Sequence, residues 1–581
     1  MPQPRILLVF GAFAREGALK AVTDWSRAVV LEVDAFLPSP QREQCAAIVT
    51  VPPLLPEAEA MRLQNRAEDL LDEFLDERAP QSGLETSRPF RASCLSIEAW
   101  RIVIPHIVCL EYASRALEHG PFAEIIVAPG AGVSLQAFKQ LAGALGAPLR
   151  VLPHDRQKPP LLWMLKRRWQ RARLKAQAAP PPPPRLPART RPGQLWCADP
   201  RLESIVARDD REGRWVAGPR FTEPAASEVE ALRQLYLAWW EQWWADWKKS
   251  HPDEDALSPR HILGDLGRWF SRERYPLHAC HLQQARRIIA EEKPARVLIG
   301  SMRGRREFLW GLAARELGIP SVVYTVDCSI YPRLVFRPDL VLCDDARQFE
   351  VATQEAKLPA HQVIQVSSHR RPPARSAAQA HTRAARPRLL LADTYYSGMV
   401  ASSSPLLSAW AYQRVIEAAR SLPGHDFFIK LHPVRERPDP VFHLSGQHHL
   451  HLWQRERNIR SLKPPPNVAI LAPEERLSDW LPGMDVLLNI QSYAGLEAFA
   501  LRIPVIYVQP WDEEGLYPRM NAMGVMQVAV DTPSLVRLIR LNLEDPGHCQ
   551  RQLALQEGYL DYFYWEGRPP CAQAAALSAA P

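Results

Sequence analysis

The sequence predicts an α/β protein of three Rossmann-like units, each built on a parallel sheet. Three observations carry the prediction. First, short apolar runs rich in β-formers recur along the 581 residues. Each is followed by a polar or glycine turn and then by a segment of helical periodicity, the alternation that gives parallel sheets. Second, one strand–helix–strand segment occurs twice. Residues 124–155 align without a gap on 296–327, with identities at Gly132/Gly304, Ala142/Ala314, Leu145/Leu317, Gly146/Gly318, Pro148/Pro320, Val151/Val323 and Asp155/Asp327. In both copies Leu-Gly-x-Pro turns the chain from helix to strand: the glycine ends the helix and the proline stops it restarting. Third, in the stretch 424–508, residues 427–431, 485–490 and 503–508 read as buried strands and 492–501 as a helix.

In chain order, residues 5–10 (Arg-Ile-Leu-Leu-Val-Phe) form a first buried strand, followed by Gly11 and a helix from about residue 15. Residues 29–33 form a second strand, 57–78 an acidic amphipathic helix and 102–114 an apolar helix. The strand 124–128, helix 134–145 and strand 149–152 complete a first unit, 1–155. Residues 156–193 form a linker. Within it, 161–175 is a basic, helix-like segment with Trp163, Leu165 and Trp169, and 180–192 is extended chain of polyproline type. A second unit, 194–386, opens with a strand at 194–198. Its Tyr236, Trp239, Trp240, Trp243, Trp244 and Trp247 lie on one helix, where Tyr236, Trp240, Trp243 and Trp247 share a stripe. The stripe reads foremost as core; the alternative is a platform on which an acceptor sugar stacks. Further strands follow at 297–300, 321–326, 338–343 and 363–366, and 368–387 reads as an interdomain linker. A third unit, 387–569, opens with the strand 388–392 and the loop 393–398, with a helix start near 402–404. Tyr562, Tyr564 and Trp565 carry the tail back across the units, and 570–581 reads as disordered.

Composition bounds the function. The chain is too long for one ordinary core. Its 46% hydrophobic and 23% charged content is that of a globular protein. A net charge of +7 suits anionic partners such as nucleotides or a membrane face. No recognition motif for nucleic acid is present, so that partner is not expected. The nine cysteines are scattered without a C-x-x-C pair. They predict neither a zinc site nor a disulfide framework and fit a reducing cytoplasm. Met-Pro-Gln-Pro-Arg leads straight into a strand with no signal peptide, and no run reaches the ~18 apolar residues of a membrane span. A cytoplasmic location is expected. Residues 161–175 either rest peripherally on the anionic inner membrane face or pack as an ordinary helix.

Site candidates follow from position. His432 ends the strand 427–431, where open α/β sheets place ligands, and Pro433 holds its backbone extended. Ser492 opens the helix after the next strand, where N–H groups and the helix dipole suit phosphate; it serves equally as a cap. Glu497 stands in an otherwise apolar helical turn and needs a partner or ligand when buried. Arg303, Arg305 and Arg306 follow the strand 297–300 and suit an anionic acceptor or donor carboxylate, or form a solvated loop. Asp327 ends the strand 321–326 and is the candidate catalytic base, with Asp344 and Asp345 behind it. No metal-ligand cluster stands out, and neither metal nor cofactor is expected.

Two motifs carry a family resemblance. Gly-Leu-Glu-Ala-Phe-Ala-x-x-Ile-Pro-Val-Ile at 495–506 resembles the nucleotide-binding domain of GT-B glycosyltransferases, whose usual pattern is Gly-x-Glu-Ala-x-Ala-x-Gly-x-Pro-Val-Ile; Arg502 replaces the second glycine. Lys-Leu-His-Pro at 430–433 resembles the His-Pro motif of bacterial sialyltransferases, capsule Kdo transferases and CDP-glycerol glycerophosphotransferases. The resemblance is good over 387–530, looser over 194–386 and only architectural before that. It implies a GT-B-like fold with an additional N-terminal Rossmann-like unit. It also implies a donor site of Lys430, His432, Pro433, Gln491, Ser492, Gly495 and Glu497. In it His432 and Ser492 meet the donor phosphate and Glu497 the ribose hydroxyls. Many retaining GT-B enzymes carry a second glutamate where this chain has Asn489, which favours the His-Pro group and a CMP-activated acid sugar; CDP-glycerol and UDP-sugars stay open. The glycerophosphotransferases have His-Gly where this chain has Val326-Asp327, which leaves Asp327 to take the acceptor proton. The resemblance thus implies a glycosyltransferase of capsule or lipopolysaccharide synthesis, moving sugar from a nucleotide sugar to a glycan or lipid-linked acceptor. A sugar-nucleotide epimerase of related fold and a non-catalytic scaffold are the rival readings.

Overall fold

The computed structural model describes residues 5–11, 14–53, 55–75, 84–94, 97–130, 133–153, 186, 193–210, 214–300, 307–324, 338–368, 371–372, 385–394, 406–432, 451–472, 475–490, 492–511 and 519–565. They form three wholly parallel sheets. The first contains β1 (Arg5–Phe10), β2 (Ala28–Glu32), β3 (Ala47–Thr50), β4 (Phe122–Val127) and β5 (Leu149–Val151), in the order β3-β2-β1-β4-β5. The second contains β6 (Leu195–Cys197), β7 (Trp215–Ala217), β8 (Arg296–Ile299), β9 (Ser321–Tyr324), β10 (Leu340–Cys343) and β11 (Val363–Gln365), in the order β11-β10-β9-β8-β6-β7. The third contains β12 (Arg388–Ala392), β13 (Asp426–Lys430), β14 (Val468–Leu471), β15 (Val486–Asn489), β16 (Val505–Val508) and β17 (Val528–Ala529), in the order β14-β13-β12-β15-β16-β17. Central strands such as β2 and β15 are buried along their whole length, which is why they read as unbroken apolar runs.

The fold class is α/β with Rossmann-like sheets. The third sheet has the 3-2-1-4-5-6 order of dinucleotide-binding folds, and the first has the same order without a sixth strand. The middle sheet differs: it follows the 2-1-3-4-5 order with one strand added. The two copies of the repeat nevertheless sit alike. β4 lies beside β1 and β8 beside β6, so each copy is the first crossover beyond its strand reversal. Gly146 and Gly318 both adopt left-handed backbone, with φ of 61° and 70°. After each, a backbone N–H reaches back into the finished helix, Ala147 to Ala142 and Ile319 to Ala314. The repeated Leu-Gly-x-Pro is therefore a helix stop.

The tryptophan helix, Ala226–Ser250, is core. Tyr236, Trp239, Trp240 and Trp247 are buried, while Trp243 and Trp244 are half-buried. Tyr236 and Trp240 are closed off from any stacked sugar, which removes them from the platform alternative. The predicted stripe is also corrected, since Trp239 joins the buried set and Trp243 is only partly covered. The reason is that helices cover two sides. On one side the helix Ile262–Glu273 brings Gly264 and Gly267 against Trp244 and Trp240. On the other, Phe74 of the first unit's helix Glu57–Leu75 lies 5.5 Å from Trp240, and Phe90 lies 5.9 Å from Tyr275. One apolar core thus runs from the first sheet through these helices to the middle sheet.

Helices flanking the third sheet, and the chain just after the last of them, touch both other units. Tyr564 bridges Asp345, the Tyr562 hydroxyl donates to Glu350 at 3.1 Å, and Trp565 meets Phe349 edge-on. From the helix His451–Ser461, Arg457 pairs with Glu16, and the Ser461 hydroxyl accepts from Arg15. No helix among the described residues is long and apolar enough to cross a membrane.

Candidate functional site

The third sheet's reversal lies between β12 and β15, and the loops at its C-terminal edge carry the candidates. Asp393 follows β12, His432 follows β13, and Asn489 ends β15. Because β12 separates β13 from β15, His432 and the β15 loop stand two strand spacings apart, roughly 10 Å.

Asp393 is the hub of this edge. Its buried carboxylate lies 2.6 Å at each oxygen from the guanidinium of Arg455, on the helix His451–Ser461. The same guanidinium donates to the Ser408 hydroxyl at 3.1 Å and to the Thr394 carbonyl. The Ser408 hydroxyl donates to Asp393 at 3.1 Å, and the His432 backbone N–H donates to the other carboxylate oxygen at 3.3 Å. The backbone at His432 is thus tied to a buried ion pair, which fixes where its ring begins. Lys430 is buried two residues earlier, at the end of β13, and its ammonium donates to the Leu431 carbonyl at 3.0 Å.

Burial is the main influence on the His432 ring and lowers its pKa below the ordinary value. Asp393 pulls it back up, and Arg455 and Lys430 push it further down. His432 is therefore neutral at pH 7, and a neutral imidazole carries a single ring N–H. Across β12, the Asn489 amide braces the turn, donating to the Ser492 carbonyl at 2.9 Å and accepting from the Ser492 N–H at 3.3 Å. The Ser492 hydroxyl accepts from the Ala494 N–H, the first of the helix, at 3.3 Å, while the N-cap position itself is Tyr493 and has no side-chain cap. The helix that follows, Ala494–Ala500, has seven residues and is shorter than the sequence predicts, so its dipole is a smaller asset for phosphate.

Within that helix every residue but Glu497 is buried. Glu497 is half-buried, has no side-chain partner among the described residues, and its pKa is raised by burial alone. Gly495 works in packing: a Cβ there would stand 2.8 Å from both the Asn489 amide and the Tyr507 hydroxyl. Arg502, at the position of the family's second glycine, adopts left-handed backbone with φ 54°.

The other candidates divide in two. Pro433, Gln491, Arg303, Arg305, Arg306, Asp327, the segment 161–175, the helix start at 402–404 and the tail 570–581 lie outside the described residues. Asp344 and Asp345 are described and completely buried. Asp344 accepts from Tyr324, Gln348 and Ser368 at 3.0–3.1 Å, and Asp345 caps the helix Ala346–Glu350. Both carboxylates are thus closed off from solvent and held by hydrogen bonds within the middle unit. Among the described residues, no three His, Cys, Asp or Glu side chains are grouped to hold a metal.

Arg455 is the residue that sequence reasoning missed. One signal pointed towards its partner: Cys-Ala-Asp at 197–199 and Leu-Ala-Asp at 391–393 each end the first strand of a sheet. In the middle sheet Asp199 pairs with Arg201 at 2.6 Å, and its carboxylate lies against Gly300 at the end of β8. There the pair fills the reversal crevice.

No protein-family profile and no curated protein matches the chain. Among solved structures the chain is similar to UDP-GlcNAc 2-epimerase from Neisseria meningitidis bound to UDP-GlcNAc, at 15% identity over 52% of this chain and 80% of that one, TM-score 0.35. It is also similar to a glycosyltransferase from Rickettsia africae, at 10% identity over 53% and 82%, TM-score 0.37. A third is MurG from Acinetobacter baumannii, at 14% identity over 51% and 75%, TM-score 0.32. The fold assignment rests on the strand orders given above.

Proposed function

We propose that the chain is a GT-B glycosyltransferase that binds a nucleotide sugar at the C-terminal edge of the third sheet. The observation that carries this reading is a neutral, anchored His432 at the end of β13 and, in the helix that follows β15, a half-buried Glu497 with no side-chain partner among the described residues. A neutral imidazole N–H suits a phosphate oxygen, and a carboxylate without a partner suits the two hydroxyls of a ribose. Hydrogen bonds from His432 and, from the other side of β12, from Ser492 stabilise charge growing on the leaving phosphate. Asp327 takes the acceptor proton. A CMP-activated acid sugar is the favoured donor, and a surface-polysaccharide or lipid-linked glycan the acceptor. The segment 161–175 holds the enzyme peripherally at an anionic, cytoplasmic membrane face. No metal is invoked, and turnover in excess chelator tests that point.

The deciding experiment is calorimetric titration with CMP, CDP and UDP. His432→Ala and Glu497→Ala should each weaken nucleotide binding about ten- to hundredfold, from the ~1.5–3 kcal/mol of a hydrogen bond to a charged group. Unchanged affinity in both variants removes the site. With a full nucleotide sugar, a transferase releases free nucleotide slowly without acceptor, an epimerase alters the sugar, and a scaffold does neither.

A further inference from the structure

We infer that the first unit is a brace: through Glu16 it positions the helix His451–Ser461, and with it Arg455, at the nucleotide edge of the third sheet. One short helix joins the two places. Arg455 faces the site and holds Asp393, Ser408 and the Thr394 carbonyl. Two residues on, Arg457 pairs with Glu16, and Ser461 at the helix end accepts from Arg15. Arg15 and Glu16 open the helix Arg15–Ala21, directly after β1, so the contact comes from the ligand edge of the first sheet. Two guanidiniums two residues apart point to opposite sides of an α-helix, one to each unit. A shift of the helix that breaks Arg457 from Glu16 therefore also moves Arg455 against Asp393. Asp393 in turn holds the His432 backbone N–H.

The first unit's own reversal crevice points to the same role. It lies between β1 and β4, and there the buried Asp34 carboxylate lies directly against Gly130, leaving no room even for a Cβ. The unit fills its own ligand position with a side chain and offers its edge to the third sheet. Glu16 and Arg457 are positioning residues, since neither touches the Asp393 group itself. The role rests on the nucleotide-site reading above for one of its two readouts.

The test uses the full chain with Glu16→Arg, Arg457→Glu and the double exchange. Amide hydrogen exchange over 455–461 reports the helix directly, and titration with CMP, CDP and UDP reports the site. Each single reversal should speed exchange in 455–461 and weaken nucleotide binding about three- to tenfold, the range for losing a partly exposed pair and gaining a like-charge contact. The double exchange should recover both, which a merely disruptive substitution would not. Exchange over 455–461 unchanged in both single variants overturns the brace. Faster exchange with full nucleotide affinity, where His432→Ala loses affinity, overturns the link to the site. A wild-type chain that binds none of the three nucleotides refutes the nucleotide-site reading instead, while the exchange data still decide the brace.

Discussion

Gly267→Ala separates what helix propensity favours from what packing allows. Gly267 lies in the middle of the helix Ile262–Glu273, and propensity alone gives alanine about 1 kcal/mol there. The structure opposes it. A Cβ at 267 would overlap the six-membered ring of Trp240, well inside the ~3.5–4.0 Å of ordinary carbon contact. The ring cannot retreat: Trp240 is 1% exposed, Phe74 lies 5.5 Å away on one side and Trp243 4.8 Å on another. Its indole N–H also donates to the Gly264 carbonyl at 3.1 Å. Overpacking costs typically 1–3 kcal/mol, and losing the indole hydrogen bond adds about 1. Net of propensity, Gly267→Ala should destabilise by roughly 1–3 kcal/mol. The assay is thermal unfolding followed by tryptophan fluorescence. Trp240→Leu should rescue the Gly267→Ala background while destabilising the wild type, because the two residues share one contact. A Gly267→Ala chain that unfolds at or above the wild-type temperature refutes the packing argument, because propensity alone would then have decided.

Burial drives the His106 pKa down to about 3, so the folded chain refuses a proton that the unfolded chain takes near 6.5. Its contribution to stability is full above pH 6.5 and drains as pH falls towards 3, at up to about 1.4 kcal/mol per pH unit. His106→Leu should flatten the stability–pH slope by that amount, and an unchanged slope between pH 6.5 and 4 rejects it. Arg502→Gly should stabilise by about 0.5 kcal/mol: left-handed backbone costs an L-residue roughly 1–2, and glycine's unfolded freedom returns part of that. The exposed pair of Arg502 with Glu557 contributes little, and Arg502→Ala, which keeps the strain, should not stabilise. Replacing Lys166, Arg167, Arg168, Arg171 and Arg173 with glutamine should reduce sedimentation with anionic vesicles at low salt; wild-type protein that never sediments removes the membrane contact.

The sequence exposed interiors better than edges. β1 and β12 begin and end where their apolar runs do, because strands covered on both faces need unbroken apolar residues. β3, β7, β14 and β17 carried no such signal. All four are edge strands of two to four residues, and β3 and β14 are partly exposed throughout or nearly so, so little patterning is demanded of them. His432 and Glu497 were legible because strand ends and helix starts can be read locally. Arg455 was not: it meets Asp393 across 62 residues, from a helix whose sequence, His-Leu-Trp-Gln-Arg-Glu-Arg-Asn-Ile-Arg-Ser, has three arginines and nothing to rank them. The glycine-to-arginine departure at 502 was visible, but its meaning needed the backbone angle.

The core shared by the first and middle sheets has a consequence for how the protein is made. Helix Glu57–Leu75 leaves the ribosome with Phe74 facing a partner, Trp240, that does not yet exist. The helix that carries Trp240 begins about 150 residues later, so at roughly 5–20 residues per second the nascent first unit waits on the order of ten to thirty seconds with an apolar side uncovered. A surface of that kind is what chaperones bind and what aggregates when nothing does. A fragment ending near residue 155 would keep that face bare permanently. A fragment reaching Glu292 would include the helices Ala226–Ser250, Ile262–Glu273 and Tyr275–Glu292, which pack against that face.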